Sequence, residues 1–313
     1  MNPSLKEVTM NSSQPSSHQI IAAIDQLVSK VFISNIDINQ LTHDMNKWYA
    51  HFINIYDEML SYGSSINAYL LATRSLVNDL HPEDVIWTKK LTVEFVHELT
   101  RFYSQYQADQ ANHSHQETDN SYSLLSYLRE LTTHHKRLLF IRVDLKYLDS
   151  VQNDITVWDF DYHMTRLTQR ISNKKSCFRN LQGYAWALEQ GFENGGLHCH
   201  LLLIYDGEKH QNGWYLAREV GEKWKKITDG QGSYFNCHDT KYTSCYEALG
   251  TLGIGMIHRN NKQEVENALR SASYLTRPTK YNQKLKAWLP RMRSFGHGTY
   301  RNTKRRGLPP IAK

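Results

Sequence analysis

Apolar residues recur along the first third of the chain at helical spacing. Ile21, Ile24, Leu27 and Val28 follow it, as do Tyr56, Leu60, Ile66, Leu70 and Leu71, and then Val93, Phe95, Val96, Leu99 and Phe102. His81-Pro82-Glu83-Asp84 reads as a helix start. The stretch before this, from Met1 to about His18, is rich in Ser and Asn and reads as disordered. Residues 104–121 are rich in Gln, Asn, His and Asp and read as a polar linker. The second half has a different rhythm. Leu138 to Leu145 is a strong strand pattern, and Phe160, Met164, Leu167 and Ile171 mark an amphipathic helix. Two strands follow, around Tyr184–Glu189 and Leu197–Ile204. Trp214, Ala217, Val220, Trp224 and Ile227 predict a helix, Leu252–Ile257 a strand, and Val265, Leu269, Ala272 and Thr276 a last helix. The order β-α-β-β-α-β-α predicts an α+β domain with a central antiparallel sheet flanked by helices, preceded by a mostly helical region. The expected segments are 1–18, a helical region at 19–133, the α+β domain at 134–300 and a basic tail at 301–313.

The sheet pattern carries candidate chemistry. His198 and His200 lie two apart on a strand, so both imidazoles leave the same face. Paired imidazoles on one rigid strand suit a divalent metal. Asn194-Gly195 is a hairpin signal between this strand and the one that ends in Glu189. A turn there sets Glu189 opposite His200, and a turn one residue earlier sets Glu189 opposite His198 and Ala187 opposite His200. Either register puts the carboxylate with the two imidazoles, a set that leaves coordination positions open. Asp144 either faces this metal or simply ends its own strand.

Composition refines the picture. The chain has 313 residues and a net charge of +6, but Arg270 to Lys313 holds twelve Lys/Arg and no Asp or Glu. The other 269 residues carry 25 basic and 31 acidic side chains. Tyr274, Tyr281, Trp288, Phe295 and Tyr300 interleave with the basic residues. Such a segment is either a solvated tail or a nucleic-acid surface, in which cations hold phosphates and aromatic rings stack on unpaired bases. The adjoining metal set favours the second, with Arg270, Lys280, Lys284, Arg291 and Arg293 as DNA contacts. Four cysteines without paired spacing read as reduced thiols. Cys237, His238 and His258 match no zinc template, and Gly253-Ile254-Gly255 serves a turn or bulge better than a dinucleotide. With no long apolar run, no signal-peptide pattern and no Walker A motif, a soluble protein of the cytoplasm with no ATP-driven helicase of its own is expected.

On the last predicted helix, Tyr274 lies about 180° from Val265, off the apolar stripe, with Arg270 and Arg277 beside it. A tyrosine so placed can attack a phosphate and hold it covalently. Together these residues resemble the HUH endonuclease superfamily, with Cys199 between the histidines. Tyr274-Leu275-Thr276-Arg277 is similar to that family's Tyr-x-x-Lys motif, with Arg in the basic position. The likeness runs from about His134 to Gly298 and is nearest the filamentous-phage (inovirus) replication initiators and their prophage relatives. It implies Mg²⁺ or Mn²⁺ on Glu189, His198 and His200, with Tyr274 as nucleophile and Arg277 beside it. Tyr281 would be a second tyrosine if the helix survives Pro278. It further implies nicking and joining of single-stranded or hairpin origin DNA, with a host helicase and polymerase as partners, in rolling-circle replication. A transposase or relaxase would use the same site, and a DNA-binding regulator would keep the metal site without catalysis.

Overall fold

The fold comes from a computed structural model, which describes residues 15–34, 36–77, 79–191 and 196–300. It is α+β. The helical region contributes α1 (Ser17–Ile33), α2 (Ile38–Ile55), the two-residue strand β1 (Ser61–Tyr62), α3 (Ser64–Val77) and α4 (Lys89–Thr100). The predicted run from Tyr56 to Leu71 is broken: α2 ends at Ile55, Tyr56 is already extended, and Leu60 lies in the turn before β1. His81-Pro82 starts only a short 3-10 turn at Pro82–Asp84. The expected disorder ends earlier than His18. Ser16 caps α1 reciprocally with Gln19, and the buried His18 ring bonds to the Ile155 carbonyl. Residues 1–14 lie outside the described residues.

The expected linker at 104–121 is part of a helix, α5 (Tyr103–His134). Its sequence has no Gly or Pro, so nothing in it breaks a helix. Its N-terminal half is polar because it is tied down by polar contacts: Asp109 accepts from Ser64 at 2.8 Å and pairs with Lys284 at 2.7 Å. The C-terminal half packs Leu124, Leu128 and Leu131 onto the sheet, and the Tyr127 hydroxyl accepts from the Tyr184 amide at 3.1 Å. The helix therefore shares the sheet's own core, on the N-terminal side of the expected boundary at residue 134.

The chain continues as β2 (Arg137–Tyr147), α6 (Val157–Ser172), β3 (Leu181–Gln190), β4 (Leu197–Asp206), α7 (Gly213–Ile227), β5 (Gly232–Asn236), α8 (Thr240–Ala248), β6 (Gly255–His258), α9 (Lys262–Ser273), β7 (Ala287–Trp288) and β8 (Phe295–His297). The sheet runs β5-β2-β4-β3-β8, with β6 also paired to β2. All its pairings are antiparallel. Alternation along each strand sends residues to two cores. Leu139, Ile141, Val143 and Leu145 of β2 face α6, α7 and the N-terminal helices in one continuous cluster. Leu138 and Phe140 face α5 and α9 in a second. The predicted strand at 252–257 is displaced to β6 because residues 252–254 run against α9 instead. At Gly253 a Cβ would lie 2.2 Å from the Asn267 carbonyl oxygen, so only glycine allows this approach. Gly255 then turns the chain into β6 at φ 97°. No helix among the described residues is long and apolar enough to cross a membrane.

Two lysines and a strand of the basic segment anchor it to the rest of the molecule. Lys286 is 2% exposed, donates to the Asn282 and Lys284 carbonyls, and lies 3.8 Å from Asp25. Lys284 reaches Asp109, and β7 pairs with β1.

Replacing Gly253 by Ala should force this loop off α9 and lower stability by roughly 1–3 kcal/mol, read as a shift in the urea midpoint. His238 offers a second test. Burial pushes its pKa from 6.5 down to about 4, so the folded state holds it neutral. Between those values the unfolded chain binds more protons, so stability falls as pH falls through this window, by roughly 2 kcal/mol at pH 5. His238→Phe should flatten that part of the pH dependence in denaturant titrations at pH 7 and 5.

Candidate metal centre

The hairpin sets the site. β3 pairs with β4 so that Glu189 opposes His198 and Ala187 opposes His200. This is the second of the two registers allowed by the sequence; the turn itself, at 192–195, lies outside the described residues. Neighbouring strands extend the row. Phe235, Asp144, His200, Ala187 and Phe295 oppose one another in turn across the sheet, on the face shared with α5 and α9. Cys199 points to the other face, fully buried, and burial holds its thiol far above the usual range.

Glu189, His198 and His200 bring three ligand atoms within 4.8 Å of one another. Glu189 Oε2 lies 3.2 Å from His200 Nε2 and 3.6 Å from His198 Nε2. The remaining ring nitrogens are used elsewhere. His198 Nδ1 lies 3.2 Å from the Gly196 carbonyl, which can only accept, so Nδ1 carries the proton and Nε2 presents its lone pair to the centre. His200 Nδ1 donates to Asp144 Oδ1 at 2.6 Å, and Arg142 Nε donates to the same oxygen at 3.3 Å. A carboxylate behind a ligating histidine fixes its orientation and raises its basicity. Asp144 thus serves the site through His200. The donor set fits a divalent cation, which could bind here.

Charge around the centre is balanced from within. Burial opposes ionisation of Glu189, but the neighbouring His198 and His200 rings and the Lys280 charge hold its carboxyl well below the usual range. Asp144 is likewise held low, by His200 and Arg142 against burial. Burial works against the His200 charge, and its two carboxylate partners raise it overall. Lys280 Nζ lies 2.5 Å from Glu189 Oε1; burial lowers its pKa although the carboxylate supports its charge.

α9 ends at Ser273, and Tyr274 opens a 3-10 turn to Thr276. Arg277 is already extended, as a residue before proline prefers to be. Tyr274 therefore sits at the helix end, where its ring centroid is 5.8 Å from that of His200. Three cations lie against this ring: Lys280 at 3.5 Å, Arg142 at 4.8 Å and Arg277 at 4.9 Å. Tyr281 goes elsewhere, because the helix stops before Pro278 and the seven-residue spacing no longer sets a common face. Its hydroxyl donates to Asp109 at 3.3 Å and its ring packs on His113 of α5. Burial and Asp109 push its phenol far up.

The five expected DNA contacts also separate. Arg270 is exposed beside Tyr274. Lys280 and Lys284 are internal ion-pair partners. Arg291 and Arg293 are exposed, but they line a cavity with Tyr184, Trp186 and Leu188, on the opposite face of β3 from Glu189. The interleaved aromatics mostly pack: Phe295 is buried, Trp288 lies in β7, and Tyr300 meets His134 and His135 edge-on.

Residues 101–298, which contain the whole site, match the family described as the YagK/YfjJ C-terminal domain. The chain belongs to that family. Its members are associated with prophages and mobile elements. No curated protein and no solved structure matches the chain. The match begins two residues before α5, so this YagK/YfjJ domain includes the helix as well as the sheet.

Mn²⁺ should raise the melting temperature, and His198→Ala or Glu189→Ala should abolish the shift. Asp144→Asn, which keeps the shape but not the charge behind His200, should weaken Mn²⁺ binding by roughly 10–100-fold in calorimetric titration.

Proposed function

We propose that this chain is a metal-dependent HUH endonuclease that nicks and rejoins single-stranded DNA through a 5′-phosphotyrosine on Tyr274. The observation that carries this reading is the contact of the Tyr274 ring with His200, 5.8 Å between centroids, at a point where two imidazoles and a carboxylate converge.

A divalent cation held by Glu189, His198 and His200 would polarise the scissile phosphate. The mixed nitrogen and oxygen set suits Mn²⁺, and Mg²⁺ would also serve. Arg142 and Arg277 complement the phosphate charge close to the Tyr274 ring. The Tyr274 Oη–phosphorus bond forms as the phosphorus–O3′ bond breaks, and the phenolic proton is balanced by the one gained on the departing 3′-oxygen. The products are a 5′-phosphotyrosine and a free 3′-hydroxyl. One ester replaces another, so the reverse step rejoins the strand without a nucleotide cofactor. The resemblance places an ammonium at the position of Arg277, which cannot give up a proton. Lys280, three residues on, brings an ammonium to the same tyrosine and fixes Glu189.

In this reading the substrate is the single-stranded or extruded origin of a phage, prophage or plasmid in the bacterial cytoplasm. The new 3′-hydroxyl primes a host polymerase behind a host helicase, which makes the reaction the initiation of rolling-circle replication.

With end-labelled single-stranded DNA from its own replicon and Mn²⁺, the protein should give a covalent adduct on a denaturing gel. Tyr274→Phe should remove the adduct and Tyr281→Phe should not. Tight DNA binding with no adduct under any divalent ion would instead mark a non-catalytic regulator.

A further inference from the structure

The site opens on its β5 side into a cavity of about 530 Å³. Arg142, Arg270, Arg277 and Tyr274 line one wall of it, and Tyr242 and Tyr246 line another. Both of the latter come from α8, a helix whose sequence shows no apolar stripe and whose one buried residue is Thr243. A helix so weakly anchored contributes little to the core. It does present two tyrosines four residues apart, which share one side of a helix.

Those rings belong to a longer series. Phe235 stands in the row that contains Asp144 and His200, at the β5 end of the same sheet face. The Phe235 and Tyr242 centroids are 5.2 Å apart, and those of Tyr242 and Tyr246 are 5.3 Å apart. Phe235 is 42% exposed and Tyr246 is 38% exposed, so the series keeps open ring surface where most aromatic residues of the sheet are packed away. It leads from the sheet edge into the cavity beside Tyr274. Asp144 is the one carboxylate lining that cavity among the described residues, and it is already paired with His200 and Arg142.

Open aromatic faces next to arginines fit one ligand chemistry well: a polyanionic backbone carrying unpaired, flat, apolar bases. We propose that Phe235, Tyr242 and Tyr246 form a stacking platform that holds unpaired nucleobases of single-stranded DNA flanking the phosphate bound at Tyr274. Arg142, Arg270 and Arg277 take the backbone of the same strand. The platform makes the site selective for single strands, because bases stacked within a duplex cannot reach it. This rests on the reading of the cavity as a single-strand nuclease site, and it assigns α8 a role that the metal centre does not require.

The test is fluorescence polarisation with the full-length protein in chelator, so that nothing is cleaved. The probes are a labelled oligothymidylate and an abasic oligomer of equal length and charge. Wild type should bind the base-bearing strand at least tenfold more tightly. Phe235→Ala with Tyr246→Ala should remove most of that preference and leave abasic binding unchanged; Tyr246→Trp should retain it. Both altered side chains are exposed, and circular dichroism checks the fold. Equal affinity of wild type for the two strands overturns the platform. So does an equal loss on both strands in the double variant. The nuclease reading fails separately: base preference without any adduct on cognate DNA leaves the platform and removes the enzyme, and adduct formation without base preference does the reverse.

Discussion

The pairing of Glu189 with His198 across the hairpin is the constraint on which the rest depends. Side chains alternate along a strand, so a slip of one residue in β4 would exchange its two faces. His198 and His200 would then enter the core packed by α6 and α7, and Leu197, Cys199 and Leu201 would face α5 and α9. The apolar partition of the sheet and the assembly of the metal set are therefore one requirement. Ala187, opposite His200, adds to it, since a small residue there leaves space for the imidazole and for the Glu189 carboxylate.

Charge closes the structure over that sheet. The basic C-terminal segment meets acids far away in sequence: Lys280 meets Glu189, Lys284 meets Asp109 and Lys286 lies by Asp25. The segregation of charge along the chain is thus a long-range pairing pattern. Each pair is substantially buried, and removing one partner would strand the other in a medium that solvates it poorly.

Local pattern revealed the long strands, the helices at 157–172 and 213–227 and the three side chains that converge at the candidate metal centre, because each of these rests on periodicity or on spacing within one hairpin. It misjudged features defined by distant partners. Residues 104–121 look like a linker until Lys284 and Ser64 supply the contacts that hold α5. Lys280 looks like a phosphate contact until the chain reverses after Pro278 and brings it to Glu189. Asp144 could be assigned only once β2 was known to lie beside β4, which puts it opposite His200. α8 buries a single residue and left no periodic trace, and the distinct positions of Tyr274 and Tyr281 turn on where a helix stops.

The site of Tyr274 at the end of α9 has an electrostatic consequence. A helix carries partial negative charge at its C-terminus, from carbonyls that lack amide partners. That end is turned towards the place where a phosphate would sit. Arg270, in the last turn, and Arg277 and Lys280 just beyond it must first offset this field before they attract an anion. If the proposed strand binds there, the cations around the tyrosine outnumber the counterions it would release, and the salt dependence of binding would be shallower than their number suggests.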